Sequence, residues 1–147
     1  MTRTAAREIA IHMAFELGFA DCGAQQLLEE KLTPEYFASM AEADEIYTEF
    51  PEDQCDYIRT IVTGVERHGY ELDTDIERYA VGWKFERIPR VATAIMRVAM
   101  FEILYTDVPN GAAINEAVEL AKKYEDEKVV SFINGILGSF VRGECGE

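Results

Sequence analysis

The sequence predicts an all-α protein of about seven helices forming one domain over residues 1–147. Three observations carry this expectation. Apolar residues recur every three or four positions in most segments, the spacing of one helical face. Residues suited to starting or ending helices stand between those segments. No stretch sustains the alternation of a strand without a competing helical pattern. With 147 residues, 48% of them hydrophobic and 29% charged, the chain can bury roughly two thirds of its unfolded surface without metal or disulfide support.

The first segment carries both periods. Ile9, Ile11, Met13, Phe15, Leu17 and Phe19 alternate with smaller or polar residues, as a strand would. The run is long for a strand, however, and Ala5, Ala6, Ala10 and Ala14 favour helix. Thr4 is the expected cap and Gly18 lies near the end. Ala6, Ile9, Ala10, Met13 and Leu17 then form the core face. Arg7, Ile11 and Phe15 form a second stripe on another side, flanked by His12.

Thr33-Pro34 reads as a helix start with proline in the first turn. Ile58, Ile61, Val62 and Val65 share one helical face, which ends near Gly69. Thr74 and Glu77 have capping-box spacing, followed by Ile76, Tyr79, Ala80 and Trp83 at helical intervals. Pro89 opens a helix with Val91, Ala94, Ile95, Val98 and Phe101 inside, stopping near Asp107. The segment Asp107 to Gly111 is a turn, in which Pro109 fixes φ and Gly111 tolerates positive φ. Ile114, Ala117, Val118 and Ala121 form the next stripe, with Glu119 and Lys123 spaced to pair outside it.

The last segment is formally ambiguous, because Asn134-Gly135 between apolar runs is a hairpin signal. An isolated pair of strands is marginal in water. The alternative stripe of Val130, Ile133, Leu137, Phe140 and Val141 therefore favours helix.

The formal charge is −14, from 28 acids against 14 lysines and arginines. Such a balance excludes a polycation that coats nucleic acid or anionic membrane by bulk charge. Between Glu29 and Asp56 ten acids face one base, Lys31, a pattern that fits a solvated face. Nucleic-acid binding would need a local patch or a partner supplying positive charge. The one basic island is Lys84 to Arg97, with Lys84, Arg87, Arg90 and Arg97 against Glu86.

Cys22, Cys55 and Cys145 are far apart and odd in number, with no CxxC and only two histidines. No zinc ligand set, cofactor or metal is expected, and reduced cysteines fit a cytoplasmic location. The amino-terminal stretch is interrupted by Glu8, His12 and Glu16, so it is neither a signal peptide nor a membrane span. No phosphate-binding loop, GxSxG or HExxH occurs. Cys55, beside Asp53 and Asp56, has its thiolate disfavoured. Catalysis is not expected.

Arg97 lies within an apolar run and needs a partner if buried, with Glu102 or Glu116 expected in that role. Two small surfaces suit binding. On the first helix, Arg3 and Arg7 lie one turn apart, with Ile11, His12 and Phe15 beside them. Cations next to an exposed aromatic suit phosphate contact and base stacking. On the last helix, Phe132 lies about 130° from the centre of the apolar stripe at ~100° per residue, and Lys128 and Ile136 share its side. For any single aromatic, packing beneath a neighbouring helix is the commoner fate.

Trp83 to Arg87, Ala94 to Leu104 (AIMRVAMFEIL), Val108-Pro109, Ile114 to Tyr124 (INEAVELAKKY) and Phe132 to Leu137 (FINGIL) resemble the NusB family of bacterial transcription antitermination factors. Ala6-Arg7-Glu8 resembles the family's start. The match is thin from about Ala20 to Asp56. The resemblance implies two packed helical bundles and no catalysis. It implies pairing with the small-subunit ribosomal protein NusE, binding of single-stranded boxA RNA in nascent ribosomal transcripts, and action within the RNA polymerase antitermination complex. RNA contacts are implied at Arg3, Arg7, His12 and Phe132, with Phe15 at a matching aromatic position. Lys128 stands where relatives often carry an acidic or small residue, and adds a cation. Thr4 and Ala5 interrupt the arginine run with which relatives often begin. Some relatives pair with themselves, so a homodimer is compatible with the resemblance. The competing expectation is a helical protein–protein adaptor of the same fold with little RNA binding of its own.

Overall fold

The computed structural model describes residues 1–146 and, among them, contains eight α-helices, three short 3-10 turns and no strand. The chain divides into two compact units, Met1–Arg67 and His68–Glu147. In the first unit, α1 spans Arg3–Leu17, α2 Ala24–Lys31, α3 Pro34–Met40 and α4 Cys55–Arg67, with 3-10 turns at Glu45–Tyr47 and Glu52–Gln54. In the second, α5 spans Gly69–Tyr79, α6 Arg90–Tyr105, α7 Asn110–Tyr124 and α8 Glu127–Glu144, with a 3-10 turn at Phe85–Arg87. The eighth helix is the short α2, where the sequence shows only a brief apolar stripe.

The core of the first unit is the seam between α1 and α4. Ile58, Ile61, Val62 and Val65 are buried as their spacing requires. They meet Ala6, Ile9, Ala10 and Met13 of α1, which are also buried. Each fully buried Ile, Val or Met side chain stabilises the fold by roughly 1.5–3 kcal/mol. Thr2, not Thr4, caps α1, its hydroxyl accepting from the Ala5 amide at 3.0 Å. Thr33 caps α3 by accepting from the Tyr36 amide at 3.1 Å, with Pro34 in the first turn. Gly23 precedes α2 without a side chain to cap it; the Glu66 carboxylate of α4 instead accepts from the Ala24 amide at 2.7 Å. That contact places an anion at a helix N-terminus and pins α2 to α4.

In the second unit α6 is buried on nearly every side, from Ala92 to Ile103, leaving Arg97 half-buried. A helix apolar all round sits inside its bundle, and α5, α7 and α8 surround it. Arg97 pairs with neither Glu102 nor Glu116. Its Nε and Nη2 donate to the two oxygens of Asp73 at 2.6 and 2.8 Å, tying α6 to α5. Asp73 lies in the segment where the sequence pattern suggested a capping box rather than an established helix. The structure starts α5 at Gly69, directly after α4, and Thr74 lies inside it, donating to the Tyr70 carbonyl at 2.8 Å.

Pro109 precedes α7 with φ −59°, but Gly111 is helical and does not use positive φ. Glu119 pairs with Lys122 at 2.9 Å, one residue earlier than the expected Lys123. Asn134-Gly135 continues α8, and Ile133, Leu137, Phe140 and Val141 are buried. The helical stripe prevails because these four side chains close the bundle's core, which a hairpin's alternation would turn half outward. Near the end of α8, Gly143 leaves room for the ring of Tyr79, whose Cζ would lie 2.8 Å from an added Cβ. The Tyr79 hydroxyl donates to Glu144 at 2.5 Å.

Candidate nucleic-acid interface

Of the six expected contact residues, Arg3, Arg7, His12 and Phe15 lie on α1 in the first unit, and Lys128 and Phe132 on α8 in the second. In the first unit Arg3 opens α1 and is exposed. Its Nε donates to Gln54 Oε1 at 2.9 Å, and its guanidinium lies 4.1 Å from the ring centroid of Tyr57. A cation stacked on an aromatic face and tethered through one of its five N–H groups is held in place while the residue stays exposed. Tyr57 was not singled out by sequence, because its partner lies 54 positions away on another helix. Tyr57 lies about 40° from Ile61 around α4 at ~100° per residue, at the edge of the buried face, and that flanking position is the one signal that marks it.

Arg7 does not occupy the outward stripe expected of it. It is buried, with 6% of its surface accessible, and its guanidinium lies 5.7 Å from the same Tyr57 ring. Ile11, its neighbour on that stripe, is 3% accessible. α1 is covered over more of its circumference than one apolar face, so the second stripe packs too. His12 and Phe15 are half-buried. Phe15 rests against the exposed Phe19, with centroids 5.1 Å apart. Arg3 and Arg7 thus share Tyr57, whereas Phe15 belongs to a separate aromatic pair.

In the second unit Phe132 is half-buried on the first half of α8. Its ring packs on Trp83, with centroids 4.3 Å apart and planes inclined at 40°. The Lys128 ammonium, one turn earlier, lies 5.6 Å over the Trp83 ring. Lys128 is exposed, while Ile136, expected beside it, is buried. Trp83 is not the continuation of the α5 stripe that its spacing suggested. α5 ends at Tyr79, and Gly82 at φ 85° turns the chain so that the Trp83 amide donates to the Ala80 carbonyl at 3.1 Å. Positive φ is open to glycine at little cost.

Elsewhere the chemistry is sparse. The Cys55 thiol is pushed up chiefly by burial, with Asp56, Glu52 and Asp53 adding and Arg59 opposing. Among the described residues no group of His, Cys, Asp or Glu is arranged to hold a metal ion, and no helix is long and apolar enough to cross a membrane.

A family profile described as the NusB family matches residues 4–142. The chain is 38% identical to a protein named Transcription antitermination protein NusB from Thermoanaerobacter sp. (strain X514), over 98% of this chain and 93% of that protein. It is 37% identical to a protein of the same name from Symbiobacterium thermophilum, over 99% and 93%. Among solved structures, NusB from T. maritima superposes with a TM-score of 0.78 at 27% identity, covering 97% of this chain and 92% of that one. The profile match begins one residue after Arg3, includes Lys128 and Phe132, and ends within the last helix; the chain belongs to the NusB family.

Proposed function

We propose that this chain is a non-catalytic RNA-binding subunit of bacterial transcription antitermination, acting in the cytoplasm with the RNA polymerase complex. In this reading it pairs with the small-subunit ribosomal protein NusE, and the pair takes single-stranded boxA-type RNA. The observation that carries it is full-length similarity to proteins named for antitermination. The geometry of Arg3 over Tyr57 and of Lys128 over Trp83 supports it. Each is a cation beside an aromatic face, the pairing that serves phosphate and base together. Phe132 completes the second surface, Arg7 lies beneath the first beside Tyr57, and the half-buried His12 and Phe15 lie further along α1 as its remaining proposed contacts.

Fluorescence anisotropy of a labelled boxA-type oligonucleotide tests this function. The isolated chain is expected to bind weakly, with affinity rising at least tenfold when the ribosomal protein is added. Arg3→Glu together with Lys128→Glu should abolish most of that gain while leaving the protein pair intact by gel filtration. A specific observation favours the adaptor as second reading: burial of Arg7 removes one of the few cations from solvent. An adaptor would bind the ribosomal protein normally, show no RNA gain, and be indifferent to the double substitution.

A further inference from the structure

We propose that the indole of Trp83 is a stacking platform for an unpaired nucleobase, with Lys128 supplying the phosphate-facing cation. This rests on the RNA-binding reading above and identifies one of its contacts.

Three observations converge on Trp83. It lies in no helix; a glycine turn at positive φ delivers it from the end of α5 to the side of α8. Its ring is anchored by Phe132 at 4.3 Å yet remains half-exposed, so part of a large aromatic surface stays in water. The exposed Lys128 ammonium stands 5.6 Å over the ring, a weak cation–π contact that a base can displace.

Displacement leaves both groups satisfied. The base takes the indole face, and the amine on its flexible stem turns to the phosphate of the same nucleotide. Lys84 follows Trp83 directly and Arg87 closes the next 3-10 turn, both exposed. Neither makes an ion pair among the described residues, which leaves both available to a phosphate backbone. The nearby acids in sequence are Glu86, exposed between Lys84 and Arg87, and Glu125, Asp126 and Glu127 before Lys128; of these Asp126 is engaged as the α8 cap, accepting from the Val129 amide at 3.0 Å. Stacking requires an exposed base face, so the platform selects single strands over duplexes and tolerates any base.

Trp83 is the only tryptophan in the chain, so its emission reports this site alone. The full chain is titrated at low salt with a boxA-type single strand, reading tryptophan emission and RNA anisotropy in parallel. Saturable quenching with the same midpoint as the anisotropy is expected, and a blunt duplex of the same sequence should leave emission unchanged. Trp83→Leu should weaken single-strand binding about tenfold, and Trp83→Phe should retain most of it. Lys128→Ala should preserve the quenching but reduce the salt slope by about 0.7. RNA binding with unchanged emission, or equal quenching by the duplex, overturns the platform and leaves RNA binding standing. Absence of any anisotropy change, with or without the ribosomal protein, overturns both. Should Trp83→Leu fail to fold, the wild-type titration decides alone.

Discussion

Two arginines one helical turn apart have different fates, and the difference lies in how much of α1 its neighbours cover. Arg3 is exposed and tethered by Gln54 and Tyr57; Arg7 lies beneath the surface beside the same ring. An arginine in such a position contributes through its packed stem as well as its charge. Arg7→Ala is therefore expected to lower unfolding free energy by about 1–3 kcal/mol, measured by urea denaturation. Arg3→Ala should leave the urea midpoint nearly unchanged and weaken RNA binding instead. A destabilised Arg3→Ala with intact RNA affinity would reverse these assignments. Sequence geometry gave the direction of Arg7 about the helix axis correctly relative to Ile11, since both lie on one stripe. It gave no measure of how far α1 is enclosed, because that depends on residues some fifty positions away, Tyr57 among them.

Helices with an end signal and a clean stripe were legible as elements. Thr33-Pro34, Pro89 and the Ile58–Val65 face all act as their chemistry dictates. Those lacking a start signal were not. Gly69 marks the end of α4, but α5 begins at that same glycine with no start signal of its own, and Thr74, at cap spacing, lies inside α5 with its hydroxyl donating to the Tyr70 carbonyl. The same displaced boundary hid Asp73, the carboxylate that Arg97 takes. Its two short hydrogen bonds are charge-assisted and bidentate, the stronger kind. Asp73→Ala leaves Arg97 half-buried without that partner, and should cost about 1–2 kcal/mol in the second unit. Replacing both residues, as Asp73→Ala with Arg97→Met, should recover most of the loss in urea unfolding. Additive losses would mean that the pair does not hold α5 to α6.

At the scale of the whole molecule, a charge of −14 opposes RNA at long range while favouring a basic protein. The opposition is screened beyond a Debye length of about 8 Å at physiological salt, whereas cations seated against phosphate act at contact. With three to five phosphate contacts, log K for the complex should fall against log salt with a slope of roughly −2 to −3.5. The acids of residues 29–56 belong to the other half of this argument. Glu35, Glu42 and Glu52 are exposed, so neutralising them changes the field with little disturbance of packing. If that field steers the ribosomal protein, Glu35→Gln with Glu42→Gln and Glu52→Gln slows association severalfold at low salt and leaves dissociation unchanged. The two association rates should converge as salt is raised, because screening removes what the substitutions removed. Stopped-flow measurement of both rates distinguishes steering from contact: faster dissociation of the triple variant would place these carboxylates within the interface itself.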